Sequence, residues 1–435
     1  MQIEQLTLQK IRGNLVTLEL TKAQPPPTYE EVVTIVADGQ SPRLGRVMQV
    51  SKTHATVLVF EGTGGLGLNT TTIFTGKSLE MEVSEGILGR VFDGLGRPID
   101  GLGSTPQGEM RDIAGNTISP TARVYPRNYI HTGFSAIDGL ATLIRGQKLP
   151  IFSMDGLPHN RLAAEIATRA SIAKGGKFAV VFAAMGVTFD TANFFRNIFE
   201  ESGADHRTVM FLNLSNDPVA ERIATPRFAL TAAEYLAFEL GYHVLAILTD
   251  MTAYAEAVRE ISSSAGEIPS RKGYPGYMYS DLASIYERAG IVKTSTGSLT
   301  QIPILTMPGD DITHPIPDLT GFITEGQIVL SRRLFQQEIF PPIDVLPSLS
   351  RLMKDGIGEG YTTAEHPRLA AQLFAKYAAV GDVRAIASII GEDELTVEEI
   401  ALLDFGRRFE HEFVSQRENE SRSLVDTLNI AGELV

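Results

Sequence analysis

The chain contains no cysteine, which excludes disulfides, thiol nucleophiles and Cys-ligated zinc and fits a reducing compartment. Long apolar runs are missing as well: the longest, Phe178–Val187, falls short of the ~20 residues a membrane-crossing helix needs. The opening stretch MQIEQLTLQKIRG lacks an apolar signal core, so any link to a membrane is expected to run through partners. A basic excess is also lacking. With 38 Lys and Arg against 52 Asp and Glu, the formal net charge is −14, the wrong sign for a surface that grips a phosphate backbone, and no nucleic-acid partner is expected.

What is present is a soluble, globular composition, 43% hydrophobic and 21% charged. The length of 435 residues exceeds a single domain of ~100–200, so two or three domains with real cores are expected. Up to about Gly76 the sequence reads as short strands at Ile3–Leu8, Leu15–Leu20, Glu31–Ala37, Arg43–Val50 and Ala55–Phe60. Turn signals at Pro25-Pro26-Pro27, Asp38-Gly39 and Gly62-Thr63-Gly64-Gly65 separate them, which suggests a compact antiparallel barrel without chemistry. Two pieces imitate phosphate loops, Gly62–Gly67 and Gly76-Lys77-Ser78. Thr71 stands where the second would need its first glycine, and neither opens an apolar helix, so both read as hairpin turns.

Gly89 to Gly101 is a turn-dense connector, with loop-like sequence to about Tyr129. Strands then alternate with helices. Strands are expected at Leu149–Phe152, Phe178–Ala184, Val209–Leu214, Val244–Thr249 and Ile302–Thr306, and helices at Leu162–Ala173, Thr191–Ser202, Pro226–Leu240 and Ala253–Ser262. Such alternation implies a mostly parallel sheet covered on both faces, with ligands at the carboxyl ends of its strands. Pro150 blurs the bounds of the first strand. Past Thr306 come proline-punctuated loops. Asp310, Asp311 and His314 there invite a metal reading but are more ordinarily solvated loop residues. From about Leu352 helices return, at Arg368–Val380, Thr396–Arg417 and Ser421–Val435, with an acidic turn at Glu392-Asp393-Glu394.

The most informative stretch is Arg145 to Ile172, where an apolar strand enters a turn-rich loop and apolar residues then recur at helical spacing, Leu162, Ala163, Ile166, Ala167 and Ala170. This is the shape of a phosphate-binding strand–loop–helix. Its pattern, G-x-x-x-x-G-K-[S/T], uses glycine N–H groups to cradle phosphate, lysine to reach the terminal phosphates and a hydroxyl to hold Mg²⁺. Laid on Ser153 to Asn160, the pattern puts Ser153 and Pro158 at the glycines, His159 at the lysine and Asn160 at the hydroxyl, with Gly156 inside the loop. One N–H, a fixed positive charge and the metal ligand are missing, so the loop should not fire ATP. The plain alternative is a βα turn in which Asn160 caps the helix. Similarly, Val244–Asp250 is a buried strand ending in an acid, as where P-loop proteins place an Asp near Mg²⁺, and the plain alternative is that Asp250 caps the next helix.

Seven runs in order carry a family resemblance: GFSAIDG (133–139), RGQKLPIF (145–152), GLPHN (156–160), LTDMT (248–252), RKGYPGYMY (271–279), HPIPDLTG (314–321) and LPSLSRL (346–352). Together they resemble the B subunit of rotary V/A-type ATPases, over nearly the whole chain. The resemblance implies an α/β, RecA-like P-loop-type parallel-sheet domain (77–350) flanked by an N-terminal β-barrel (1–76) and a C-terminal helical domain (351–435). It implies a non-catalytic, regulatory member, three copies alternating with three catalytic A subunits around a rotor shaft, with peripheral stalk subunits, at the cytoplasmic face of a membrane. ATP or ADP would sit at the A/B interface with Mg²⁺ held by the partner, coupled to H⁺ or Na⁺ transport. Catalytic relatives carry a water-activating glutamate after the strand Phe178–Ala184; here alignment puts Val187 there.

In the resembled family the arginine of the PSLSR run reaches into the partner's nucleotide site, which here is Arg351. A guanidinium suits that task because it is always charged and offers a planar fork of donors. Read without the family, Arg351 could equally be a surface salt bridge. Two other classes compete with the subunit reading: a self-sufficient RecA-like export ATPase, which needs Lys and Ser or Thr where His159 and Asn160 stand, and a Rho-type RNA helicase, which the net charge opposes.

Overall fold

The computed structural model describes residues 3–5, 8–20, 27–37, 39–67, 69–172, 175–418 and 420–435. The turn signals at Pro25, Pro26 and Asp38 lie outside them, as do Leu6 and Thr7 of the first expected strand and Ala173 of the first expected helix.

Seven strands, β1 (Ile3–Gln5), β2 (Leu8–Arg12), β3 (Leu15–Glu19), β4 (Val32–Val36), β5 (Arg43–Val50), β6 (His54–Val59) and β7 (Thr71–Phe74), pair antiparallel in the order β1-β7-β4-β5-β6-β3-β2. Alternation supplies the core, since Val16, Leu18, Val33, Ile35, Val57 and Phe74 point to one side. Gly45 is required where strands approach closely: a Cβ there would lie 2.7 Å from Val57. The expected strand Ile3–Leu8 is two strands, and Thr71, weighed above as a loop residue, opens β7. The imitation phosphate loop at Gly62–Gly67 is a turn whose carbonyls at Gly62 and Gly64 accept from Arg43.

The central sheet has eight strands in the order β19-β18-β12-β17-β16-β14-β15-β9. They are β9 (Val91–Asp93), β12 (Ile151–Ser153), β14 (Phe178–Val187), β15 (Thr208–Leu214), β16 (His243–Thr249), β17 (Ser298–Thr306), β18 (Gly326–Leu330) and β19 (Ile343–Ser350). Every pair is parallel except β18 with β19. Two-stranded pairs, β8 (Glu80–Val83) with β10 (Glu109–Asp112) and β11 (Ile130–His131) with β13 (Ser171–Ile172), flank it. Around the sheet lie α1 (Ser135–Leu140), α2 (His159–Arg169), α3 (Phe189–Ser202), α4 (Val219–Glu234), α5 (Met251–Ala265), α6 (Met278–Tyr286), α7 (Pro315–Ile323), α8 (Arg332–Gln336) and α9 (Met353–Gly356). The sheet is buried on both faces, as continuous apolar strands require: Val181 and Ala246 belong to one core, Phe182 and Ile247 to the other.

Several expectations need correction. The connector after Gly89 holds β9, an edge strand only three residues long, kept in place by Phe92 stacked on Phe211 at 5.1 Å. The proline-punctuated segment after Thr306 folds into α7, β18, α8 and β19, because Pro315 sits in the first turn of α7, where a missing N–H costs nothing. Pro226, read as a helix start, lies inside α4, which begins at Val219 and runs on through a π turn at Tyr235–Glu239.

The helical region is α10 (His366–Ile390), α11 (Val397–Arg408), which continues through a π turn at Phe409–Val414, and α12 (Leu424–Leu434). Buried Glu410 accepts from Tyr377 at 2.6 Å, Arg384 at 2.7 Å and Arg333 at 2.9 Å, tying this region to α8. It also rests on α1, through His366 to the Gly139 carbonyl at 2.9 Å and Ser135 to Thr427 at 3.0 Å. No helix among the described residues is long and apolar enough to cross a membrane.

The barrel meets the sheet at an ion pair between Glu61 and Arg97, beside Asp93, Asp217 and the buried Glu221 in the first turn of α4. Burial, then the charges of Asp93, Asp217 and Glu61, push Glu221 up to about 7, against the pull of Arg97. A carboxyl raised in the folded state favours folding below its unfolded value near 4.5, and that contribution disappears as pH rises through about 7. Glu221→Gln should therefore raise Tm over wild type at pH 8 and leave it little changed at pH 5. Thermal unfolding at the two pH values checks this; the same difference at both would contradict it.

Candidate functional site

In a parallel sheet the loops that follow the strands gather at one end. The adjacent strands β12, β17, β16 and β14 thus bring together the loop before α2, Thr306, Asp250 and Val187. The loop at Ser153–Asn160 is closed on itself. Buried Ser153 shares a 3.0 Å hydrogen bond between its Oγ and His159 Nδ1, so the side chain at the lysine position is spent on the one at the first glycine position. The His159 N–H donates to the Leu157 carbonyl at 2.9 Å, and Pro158, the residue before the helix, has no N–H to offer. Burial lowers the pKa of His159, with Asp250 opposing, so the imidazole carries no fixed charge at neutral pH. Gly156 adopts φ 78°, and its turn is the loop's remaining glycine feature. Asn160 lies within the first turn of α2 and makes no cap, which overturns the capping alternative for it.

Asp250 caps α5: its Oδ1 accepts the Thr252 N–H at 2.7 Å and the Thr306 N–H at 3.2 Å, and its Oδ2 accepts the Thr306 hydroxyl. Val187, at the end of β14, packs into the apolar core. Among the described residues no three His, Asp or Glu side chains are placed to hold a metal. Asp310 instead pairs with Arg332, Asp311 with Lys272 at 3.1 Å, and His314 accepts the Ile316 N–H at the start of α7. Sequence reasoning missed Arg332, whose guanidinium also donates to the Asp155 carbonyl at 3.1 Å and so braces the loop across 177 residues. No signal short of the folded chain could have joined those two positions. The donor set, with a neutral imidazole, an amide and a proline, does not fit a magnesium triphosphate held as in a P-loop.

Arg351 stands apart from these groups. It follows β19 directly, with its N–H on the Glu325 carbonyl at 3.0 Å, and its exposed side chain has no hydrogen bond or ion pair among the described residues. The structure brings Ser153, Pro158, His159, Asn160 and Asp250 together at one end of the sheet and places Arg351 just past the end of the antiparallel edge strand β19.

A barrel, a parallel sheet with a phosphate-loop shape emptied of phosphate chemistry and a helical end define a nucleotide-binding α/β protein of degenerate site. Family comparison agrees: residues 8–76 match the beta-barrel domain of the ATP synthase alpha/beta family, 133–350 its nucleotide-binding domain, and 355–435 the C-terminal domain of V and A type ATP synthase. The chain belongs to the ATP synthase alpha/beta family. It is 58% identical to the V-type ATP synthase beta chain of Halothermothrix orenii over 94% of this chain and 88% of that one. It is 56% identical to the beta chain of Thermotoga neapolitana, over 98% and 93%. A solved structure titled as a unique ATP synthase subunit, NeqB, from Nanoarcheaum equitans superposes with TM-score 0.76 at 40% identity, over 97% of this chain and 98% of that one.

Because the loop has neither the lysine nor the hydroxyl, and Val187 supplies no base, the purified chain without partners should turn over ATP far below ~1 s⁻¹. A steady-state assay reaching that rate would contradict the reading of the loop.

Proposed function

We propose that the chain is the non-catalytic B subunit of a V/A-type rotary ATPase or ATP synthase, three copies alternating with three catalytic A subunits around a rotor shaft. In this reading its own loop is structural and Arg351 reaches into the partner's nucleotide site. The observation that carries it is a contrast: His159 is bonded internally to Ser153, whereas Arg351 is an exposed cation without a partner of its own among the described residues. The similarity to V-type beta chains supports the assembly, and the internal His159 bond speaks against a self-sufficient export ATPase. Peripheral stalk subunits, placement at the cytoplasmic membrane face and coupling to H⁺ or Na⁺ transport follow from the same reading.

Phosphoryl transfer spreads negative charge over the γ-phosphate oxygens, and an arginine supplied in trans meets that charge as it develops. Arg351→Ala in a ring rebuilt with wild-type catalytic partner should therefore lower kcat by ~10³-fold or more while KM changes little. Arg351→Lys should rescue poorly, because an ammonium lacks the planar fork. A correctly assembled Arg351→Ala ring with near wild-type kcat would end the proposal.

The turn Glu392–Glu394 is exposed between α10 and α11, and in the proposed assembly it faces the rotor shaft. Cysteine at Asp393 has a clean background, because the chain has no other. Cross-linking to the shaft subunit is expected in at least one rotary state; its absence in all states would count against this orientation.

A further inference from the structure

We infer that Gln147 is a positioning residue for Arg351, an inference that rests on the role proposed above for that arginine. Gln147 is fully buried, and its amide joins the end of β19, the Glu325 carbonyl before β18 and its own turn at Ile144. Its Nε2 donates to the Ser350 hydroxyl at 2.9 Å and to the Glu325 carbonyl at 3.1 Å, while its Oε1 accepts the Ile144 N–H at 2.9 Å. The Glu325 carbonyl is the same oxygen that accepts the Arg351 N–H at 3.0 Å. Ser350 in turn donates to the Thr142 carbonyl at 2.8 Å. The Ser350 side chain and the carbonyl that holds the Arg351 N–H are thus tied together by one amide group.

The surroundings stiffen that hold. Lys148, itself buried, donates its N–H to Glu325 Oε2 at 2.8 Å and places its ammonium 2.9 Å from Oε1. Gly326 pairs with Ser350 at φ 127°, and a Cβ there would lie 1.9 Å from the Leu349 carbonyl oxygen, so strand β18 is pressed against the residue before the arginine. A long exposed side chain has many rotamers; fixing its backbone removes the freedom that can be removed without giving it a competing partner. Placement matters because a shift of ~1 Å in a group that meets a transition state can cost ~10²-fold in rate.

The test is a double-mutant cycle on the rebuilt ring, with Gln147→Leu, Arg351→Ala and both together, measuring kcat and KM for ATP. Gln147→Leu is expected to lower kcat by ~10- to 100-fold with little change in KM, and the double variant to lose no more than Arg351→Ala alone. Losses that multiply would overturn the inference, since Gln147 would then act independently of the arginine. An unaffected Gln147→Leu ring beside an impaired Arg351→Ala ring would overturn it too, while leaving the arginine's role intact; an unaffected Arg351→Ala ring would instead overturn the role itself. Should Gln147→Leu fail to assemble, Ser350→Ala runs the same cycle with a smaller disturbance. Val380→Ala, remote in the helical region, serves as the control for lost stability and should keep wild-type kcat in the ring.

Discussion

The structure depends on the burial of a parallel sheet on both faces. Parallel strands need long crossovers, and those crossovers become the helices that cover the sheet, so the apolar runs of β14, β15, β16 and β17 dictate most of the central architecture. The same constraint sends the loops that follow the parallel strands to one end, which is why residues as far apart as Ser153, Asp250 and Thr306 meet. The barrel and the helical region each share an apolar cluster with this frame, and polar contacts add to the join, Glu61 with Arg97 on one side and Glu410 with Arg333 on the other.

Within that frame one site has been filled from inside. A P-loop leaves its N–H groups and lysine free for phosphate, whereas here Ser153 and His159 satisfy each other and Arg332 braces the loop at Asp155. Asp250 follows the same course, with its carboxylate shared by Thr252 and Thr306. Buried polar groups must be bonded, and a loop that lacks the lysine and the hydroxyl satisfies its own. Arg351 differs from these loop groups, a strong donor left exposed and without a side-chain partner among the described residues, which fits a group whose partner belongs to another chain.

How much of this was legible in sequence follows from the length of the signals. Runs such as Phe178–Val187 and His243–Thr249 are long, apolar and flanked by helical periodicity, so their strands could be read directly. β9 has three residues, and its strand character comes from pairing with β15 and from Phe92 on Phe211, which lie over a hundred residues apart. The segment after Thr306 was hidden by prolines, of which Pro315 starts a helix rather than breaking one and Pro347 lies inside the edge strand β19. At the site, the missing lysine and hydroxyl were visible as missing letters. The Ser153–His159 bond, the Arg332 brace and the Gln147 hold on Ser350 were not, since each depends on a turn or a distant strand placing two polar groups within 3.1 Å.

The account divides the chemistry between chains: an inert loop here and a cation offered outward. The most direct measurement is an experimental structure of the assembled ring trapped with ADP and aluminium fluoride, a mimic of the transferring phosphoryl group. The account predicts the Arg351 guanidinium within hydrogen-bond distance of the fluoride in the partner's site, with His159 still bonded to Ser153. Fluoride bound at Ser153–Asn160, or Arg351 turned away from a partner site that holds it, would contradict it.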